Sequence, residues 1–487
     1  MGGLSAAALL AKAGKSVLVV ERHNKVGGCA HGFDRDGYFF DVGVHLVAGA
    51  WGLLDQLLGY LGAKDRCRLI SVEPFYRAQF PDLTIDAPID LAGFTETHVR
   101  HFPKEEAGIR ALMDTSQGLV DEMFRIPADP SPFELALVPL RFRGVFKYRN
   151  ATLGELMDRH LTDPRAKGAF SALWTYAGTP PSRISFLAWT MLLLSYLDHG
   201  AYYCEGGFQQ VADALTASID ENGGEVVLEN GATEILVDGG KAKGLRLASG
   251  DTIVAPIVIS NAPARETFGK LIGEEFAPRK ALKQVNRLEP TLSAYILYIS
   301  TDLDVGAAGV PHETMVCRSW DQDEIWRECV AGRPAGTIVT VPTLADPSLA
   351  PPGGHVVSVM SLLSYQAAAA WSQEQEDRYV EALLADGEAV CPGLSGRILR
   401  MERGSPKAIE RFTGNPEGAV YGWDNTPQQS GAGRPGHRTA VDGLYLSGHW
   451  SSPAGGVVGV MTSGAQTAQQ ILGFRDFGSY VESLDTA

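Results

Sequence analysis

The sequence predicts an α/β architecture: a parallel sheet flanked by helices and interrupted by an inserted α+β region. Three observations predict it. Gly2-Gly3-Leu4-Ser5-Ala6-Ala7-Ala8 opens a helix with small residues on one side, which Gly14 stops. Ser16-Val17-Leu18-Val19-Val20 then reads as a short apolar strand of the kind buried in a parallel sheet, ending at the acid Glu21. Far downstream, Asp442–Trp450, a turn with Gly455, Gly456 and Gly459, and the run Ser463–Leu472 read as strand, glycine-rich turn and helix.

Helix, strand and acid form the second half of a dinucleotide-binding βαβ unit. In such units a carboxylate about 20 residues after the glycine loop accepts hydrogen bonds from ribose hydroxyls. Glu21 lies 18 residues after Gly3, so the spacing fits. Of the fingerprint strand–G-x-G-x-x-G, only the last glycine, Gly3, is present. The expected fold is therefore Rossmann-like with its first strand apparently truncated. That strand is central, and losing it leaves its neighbours with unpaired backbone groups costing on the order of 1–3 kcal/mol each. A natural start roughly a dozen residues upstream is the expectation. A literal G-x-G-x-x-G at 431–436 follows the polar stretch Asn425–Ser430 and contains Pro435, so it reads as a loop.

Between these ends, Gly206–Leu215 opens an amphipathic helix that stops near Asn222-Gly223-Gly224. A strand meander follows through Glu225–Leu228, Thr233–Val237, Gly244–Leu247 and Ile253–Ser260, with Asn261 at a strand exit. Residues 96–200 are mostly helical by pattern, and 285–365 are strand-rich, with apolar runs at Leu292–Ser300 and Val356–Tyr365.

Composition removes whole classes of function. With 42 Lys+Arg against 57 Asp+Glu, the net charge of −15 argues against a nucleic-acid partner. The six cysteines lie singly, without CxxC pairs, so neither a disulfide scaffold nor a metal site is expected. The apolar run Leu4–Ala11 has no basic segment before it and no cleavage site after it, so a cytoplasmic location is expected. Phe186–Leu197, the most apolar window, is too short as a helix to span a hydrocarbon core of roughly 30 Å.

An ordered set of segments resembles the flavin-dependent carotenoid and retinoid oxidoreductases: phytoene desaturases, carotene isomerases and retinol saturases. The set is Gly2–Ala7, Val20-Glu21-Arg22, Val26-Gly27-Gly28-Cys29, Phe40-Asp41-Val42-Gly43-Val44-His45, Thr179-Pro180-Pro181-Ser182, Tyr202–Gly207, Val258–Asn261, Gly404-Ser405-Pro406, Tyr421-Gly422 and Gly443–Gly448. Asp41–His45 and the region 151–207 look closest to the retinol saturase and carotene isomerase branch. The resemblance implies an FAD-binding domain in three segments, 1–95, 201–275 and 401–487. A substrate domain would be made of 96–200, its helical part, and 276–400, its strand-rich part. NAD(P) is a candidate electron donor or acceptor.

Carried over by residue, Gly3 would face the pyrophosphate and Glu21 the adenosine ribose, with Arg22 beside it. Gly27 and Gly28 would make a second phosphate-side turn, and Ala232 would meet the adenine edge. Asn261 would lie at the cofactor, and Gly448, Gly456 and Val457 would line the ribityl chain and pyrimidine. One departure stands out: relatives often carry an acid after the last strand glycine, where this chain has His449.

A C=C bond offers side chains little to polarise, so redox change there calls for a hydride carrier and a long apolar slot. Trp174, Trp189, Tyr203 and Trp450 are candidate slot residues, each also readable as core. Tyr421 and Trp423 sit beside flavin-matching segments, and His45 reads either as a proton donor or as a structural histidine. Leu140–Arg149 interleaves Arg and Lys with Phe and Tyr, which suits peripheral contact with an anionic membrane or, alternatively, a solvated basic strand edge. The expected partner is a hydrophobic polyene or lipid. The rival readings are a phytoene-desaturase-type dehydrogenase, an oxidoreductase on another lipid or an amine, and a flavin-free prenyl-lipid carrier.

Overall fold

The computed structural model describes residues 1–126, 132–273, 275–453, 455–474 and 477–485. The site is built from helix α1 (Gly2–Lys12), strand β1 (Leu18–Val20), helix α2 (Gln209–Glu221), and strands β2 (Glu225–Val227), β3 (Val258–Ser260) and β4 (Glu313–Cys317). Helix α3 (Pro406–Thr413), strand β5 (Leu444–Leu446) and helix α4 (Val457–Leu472) complete it.

Nine of the eleven residues of α1 are buried, and its small side chains explain how. A Cβ placed on Gly464 of α4 would lie 2.3 Å from the Gly2 carbonyl oxygen and 2.9 Å from the Ala6 nitrogen. The two helices thus meet almost backbone to backbone, which only Gly, Ala and Ser permit. Gly14 ends the helix as its left-handed φ of 77° suggests.

The parallel sheet is in two halves. β1 pairs with β2, Leu18 opposite Glu225, and β3 pairs with β5, Val258 opposite Leu444. Among the described residues no strand pairs with the other edge of β1 or of β3, and Leu18, Val19, Val20 and Ile259 stay half-exposed. The meander is a three-stranded antiparallel sheet, Ala232–Asp238, Lys241–Leu247 and Thr252–Val254, with Gly239 and Gly240 at positive φ in its first turn.

A second, seven-stranded sheet forms the wall of the inserted domain. Its order is Ile398–Gly404, Ser293–Thr301, His355–Leu363, Gly336–Thr340, β4, Tyr76–Gln79 and Thr84–Ala87, with only the β4 to Tyr76–Gln79 pairing parallel. All nine residues of Ser293–Thr301 are buried. Tyr295, Leu297 and Ile299 share one core with Tyr379, Val380 and Leu383 of the helix Gln373–Val390, while Ala294, Ile296 and Tyr298 join the main core on the other face. This is why both predicted strands read as continuous apolar runs and not as alternation. The expected 1–95 segment is mixed, because its residues 76–87 belong to this wall.

One alternative falls: the stretch 140–149 is helical, within Pro132–Arg141 and Arg143–Tyr148, as the pattern of 96–200 implies, and is not a strand edge. Glu122 explains it by accepting from the Gly144 and Val145 amides and so capping the helix from outside the segment. The 431–436 glycines form a loop with a 3₁₀ turn at Gly431–Gly433, as expected. No helix of the described residues is long and apolar enough to cross a membrane, and Phe186–Leu197 is a core helix.

Candidate active site

The chain ends of the parallel sheet converge on the N-terminus of α1. Gly3 donates its amide to Asn261 Oδ1 at 2.5 Å, and a Cβ on Gly2 would lie 2.9 Å from the Gly448 Cα. Gly448 itself has a φ of 90°, and a Cβ there would meet Asn261 Nδ2 at 2.7 Å. Three residues far apart in sequence, Gly3, Asn261 and Gly448, are thereby brought together. Gly28, at a φ of 61°, leaves open space where a side chain would stand. Gly456 precedes α4 without a side-chain cap, so the first-turn amides from Val457 onward remain available as donors.

Glu21, at the end of β1, uses Oε1 to accept from the His23 amide at 2.8 Å. Ala232 heads its strand opposite Leu247. Gly27, at a φ of 110°, packs close to Ala212 of α2. Positive-φ glycines, open space at Gly28, an uncapped helix and a strand-end carboxylate fit the pyrophosphate, ribose and ring edge of a flavin dinucleotide. Arg22, next to Glu21, donates through Nη2 to the carbonyls of Arg411 and Phe412 and so holds the C-terminus of α3, where a cation is favourable.

His449 is resolved by a donor–acceptor argument. Asn415 Oδ1 accepts from the Trp450 indole at 3.1 Å, and an indole can only donate. The same oxygen lies 3.2 Å from His449 Nε2, which must therefore donate too. Burial, and then the Arg434 guanidinium, push the His449 imidazole down to about 3, so the ring is neutral and Nδ1 is a bare acceptor.

A pH prediction follows. Between about 3 and the ordinary 6.5 the unfolded chain binds a proton at His449 that the folded chain does not, so stability falls as pH drops through that window. The urea midpoint of His449→Asn is expected to approach or overtake the parent's as pH falls from 7 to 4. Parallel pH curves would refute it.

Deeper in, His45 Nδ1 lies 2.5 Å from Glu313 Oε2, and the Tyr176 hydroxyl donates to Glu313 Oε1 at 2.5 Å. Tyr196 stacks on Phe75, with ring centroids 4.5 Å apart, and meets Tyr176 edge-on at 5.6 Å. Tyr421 lies beside Gly178, two residues after Tyr176, and, through its carbonyl, beside Gly455 of the turn before α4, so it spans from this aromatic cluster to the dinucleotide cradle. Burial pushes the Tyr176 and Tyr196 hydroxyls well above the usual phenol range, so all stay protonated.

Other candidates belong to the core. Trp423 and Trp450 are buried edge-to-face, with the Trp423 indole donating to the Trp450 carbonyl at 2.9 Å. Trp174 donates to Gln322 Oε1 at 2.8 Å, and Tyr203 to Asp41 Oδ2 at 2.6 Å. These four are packing groups with their polar atoms already satisfied. Trp189 is buried, and its Nε1 has no partner among the described residues. Sequence reasoning missed Glu313, Tyr176 and Arg434. A lone carboxylate in the apolar strand Glu313-Thr314-Met315-Val316-Cys317 was the available signal for Glu313. No cluster of metal-ligating groups occurs among the described residues.

Residues 1–472 match the model of the flavin containing amine oxidoreductase family. Prolycopene isomerase 2 of an Oncidium hybrid cultivar is 28% identical over 508 residues, covering 100% of this chain and 85% of that protein. The neurosporene-forming phytoene desaturase of Rhodobacter capsulatus is also 28% identical, covering 97% of this chain and 92% of its own. An oxidoreductase from Methanosarcina mazei shares the fold, with a TM-score of 0.66 at 19% identity and 97% of both chains covered. With residues 1–472 matched and a cradle whose parts fit a flavin dinucleotide, the chain belongs to the flavin-containing amine oxidoreductases.

Proposed function

We propose that the chain is an FAD-dependent enzyme that saturates, desaturates or isomerises a carbon–carbon double bond of an isoprenoid polyene. The observation that carries the reading is the glycine cradle at the N-termini of α1 and α4, where Gly3, Asn261 and Gly448 meet and Gly28 leaves open space. Beside it lies a buried aromatic cluster of Phe75, Tyr176 and Tyr196, which holds the His45–Glu313 pair. When bound, the flavin supplies or takes hydride at N5. Gly3, Gly28, Glu21 and the α4 amides would hold its phosphates, ribose and pyrimidine edge, and His449 Nδ1 would accept from a hydroxyl. The aromatic walls would exclude water and align one bond of the chain. The named activities of the two relatives above support this substrate class.

The test is anaerobic incubation of flavin-loaded protein with prolycopene, phytoene and all-trans-retinol, with and without NAD(P)H, read by product absorbance. Turnover of prolycopene or retinol is the expected result. Turnover of phytoene alone would favour the desaturase reading, and no change in any polyene by a fully flavin-loaded protein would overturn the proposal.

We further propose that 140–149 docks the enzyme on an anionic membrane, where such a substrate is collected. Leu140 and Phe146 are exposed beside Arg141, Arg143, Lys147 and Arg149, and the Arg149 guanidinium lies 3.8 Å over the Phe146 ring. Each cation near an anionic surface contributes on the order of 1 kcal/mol, enough locally to offset the repulsion of the chain's overall acidity. Replacing the four cations by Gln is expected to lower co-sedimentation with anionic liposomes and leave FAD content unchanged. Equal sedimentation of variant and parent would return these residues to an ordinary solvated helix.

A further inference from the structure

Building on the polyene reading, we propose that His45 gives or takes the reaction's proton through Nε2, and that Glu313 and Tyr176 are the positioning residues that hold it there. Glu313 is fully buried, yet both its oxygens are used, one by His45 Nδ1 and one by the Tyr176 hydroxyl, each at 2.5 Å. A carboxylate only accepts, so Nδ1 keeps its hydrogen and Nε2 is the nitrogen left for a ligand. The residue is held at two further points, its backbone and its ring. His312 Nε2 donates to the His45 carbonyl at 3.0 Å, and the Tyr176 ring meets the imidazole edge-on at 4.9 Å. The side chain keeps 14% of its surface accessible, so the ring is reachable.

The groups around this pair are Asp41, Tyr76, Tyr176, Tyr196, His312 and Tyr421. Burial pushes the four tyrosines up and His312 down to about 4, so none of these exchanges a proton near neutral pH. Burial lifts Asp41 to about 7, but its oxygens accept from Tyr203 and from the Phe208 amide and are not free to act. Geometry singles out His45: its side chain is the one of the pair with accessible surface, and its Nε2 is not taken up by Glu313.

The chemistry balances. In saturation, hydride and its two electrons come from the reduced flavin, and the proton on Nε2 passes to the neighbouring carbon. The imidazole ends neutral, with Nδ1–H still on Glu313. Desaturation reverses both transfers. In isomerisation the proton is added to one carbon and returned to Nε2 after rotation, with no net change in electrons.

The test uses the flavin-loaded protein and the variants H45N, E313Q, E313D and Y176F. With ¹⁵N-labelled histidine and no substrate, the parent is expected to show a far-downfield Nδ1–H resonance that H45N abolishes, E313Q shifts upfield and E313D keeps. On whichever polyene is turned over, H45N is expected to lower kcat by roughly 10²–10⁴-fold at unchanged FAD content. E313Q should lower kcat and move a limb of the pH profile, Y176F should give a smaller loss, and E313D should restore most of the rate. A merely structural Glu313 would lower thermal stability and leave that limb in place. The proposal is overturned if the parent lacks the resonance, or if E313Q keeps the parent's kcat and pH profile. Failure of the parent on every polyene would strike the polyene reading, while the resonance still decides the geometry of the pair.

Discussion

Replacing Arg434 by Met is expected to lower the unfolding free energy by about 3–5 kcal/mol, read from urea denaturation. The guanidinium is 3% exposed and donates to the Gln429 carbonyl at 3.0 Å, the Trp423 carbonyl at 2.9 Å and Asn425 Oδ1 at 2.8 Å. Burial pulls it down to about 10, so it remains a cation at neutral pH. Met fills similar volume and donates nothing, which leaves these acceptors buried without partners. Lys keeps the charge but not the planar fork, so Arg434→Lys should recover less than half of the loss. A loss under about 1 kcal/mol for Met would show that water or neighbouring donors replace the guanidinium. The same residue ties the Tyr421–Trp423 segment to the 429–434 loop, so FAD content is expected to fall with stability.

The second large effect is expected at the contact between α1 and α4. Gly464→Val would place its Cβ 2.3 Å from the Gly2 carbonyl oxygen and 2.9 Å from both the Ala6 nitrogen and the Ser5 Cβ. These are mostly backbone atoms of a buried helix, so the helices themselves must separate. Overpacking of this kind costs about 3 kcal/mol. The functional consequence should be larger than the stability loss. Gly3 lies in the first turn of α1 and Gly456 is the residue just before α4, so moving one helix against the other separates the two ends of the dinucleotide cradle. The variant is expected to purify with little bound flavin while keeping most of its secondary structure by circular dichroism. Full FAD content in Gly464→Val would show that the cradle does not depend on this contact.

Local features were legible in the sequence because local geometry imposes them. The small-residue helix, the apolar strand closed by Glu21 and the strand meander after Gly224 each follow from residues within a few positions. The strands 293–301 and 355–363 were legible for the same reason, since a sheet covered on both faces needs unbroken apolar runs. The segment 140–149 was legible as part of a mostly helical region, although its composition suits a strand edge as well, and the deciding cap comes from Glu122. Aromatic content misled. Trp174, Trp423, Trp450 and Tyr203 have the chemistry of a polyene slot, but hydrogen-bonding partners far along the chain place them in the core.

The sequence by itself determined the α/β class and the dinucleotide-binding segments, because turns, periodicity and glycine positions are short-range properties; the flavin came from the family resemblance of those segments. Only the tertiary structure decided which side chains act together. His45 meets Glu313 across 268 residues, and Gly3 meets Asn261 across 258. Arg434, inside a stretch that reads as a plain loop, holds a buried set of carbonyls. A donor and its acceptor leave no shared periodic mark when the chain between them is folded away. Their pairing is a consequence of strand order and helix contact, and it becomes visible only when the sheets are assembled.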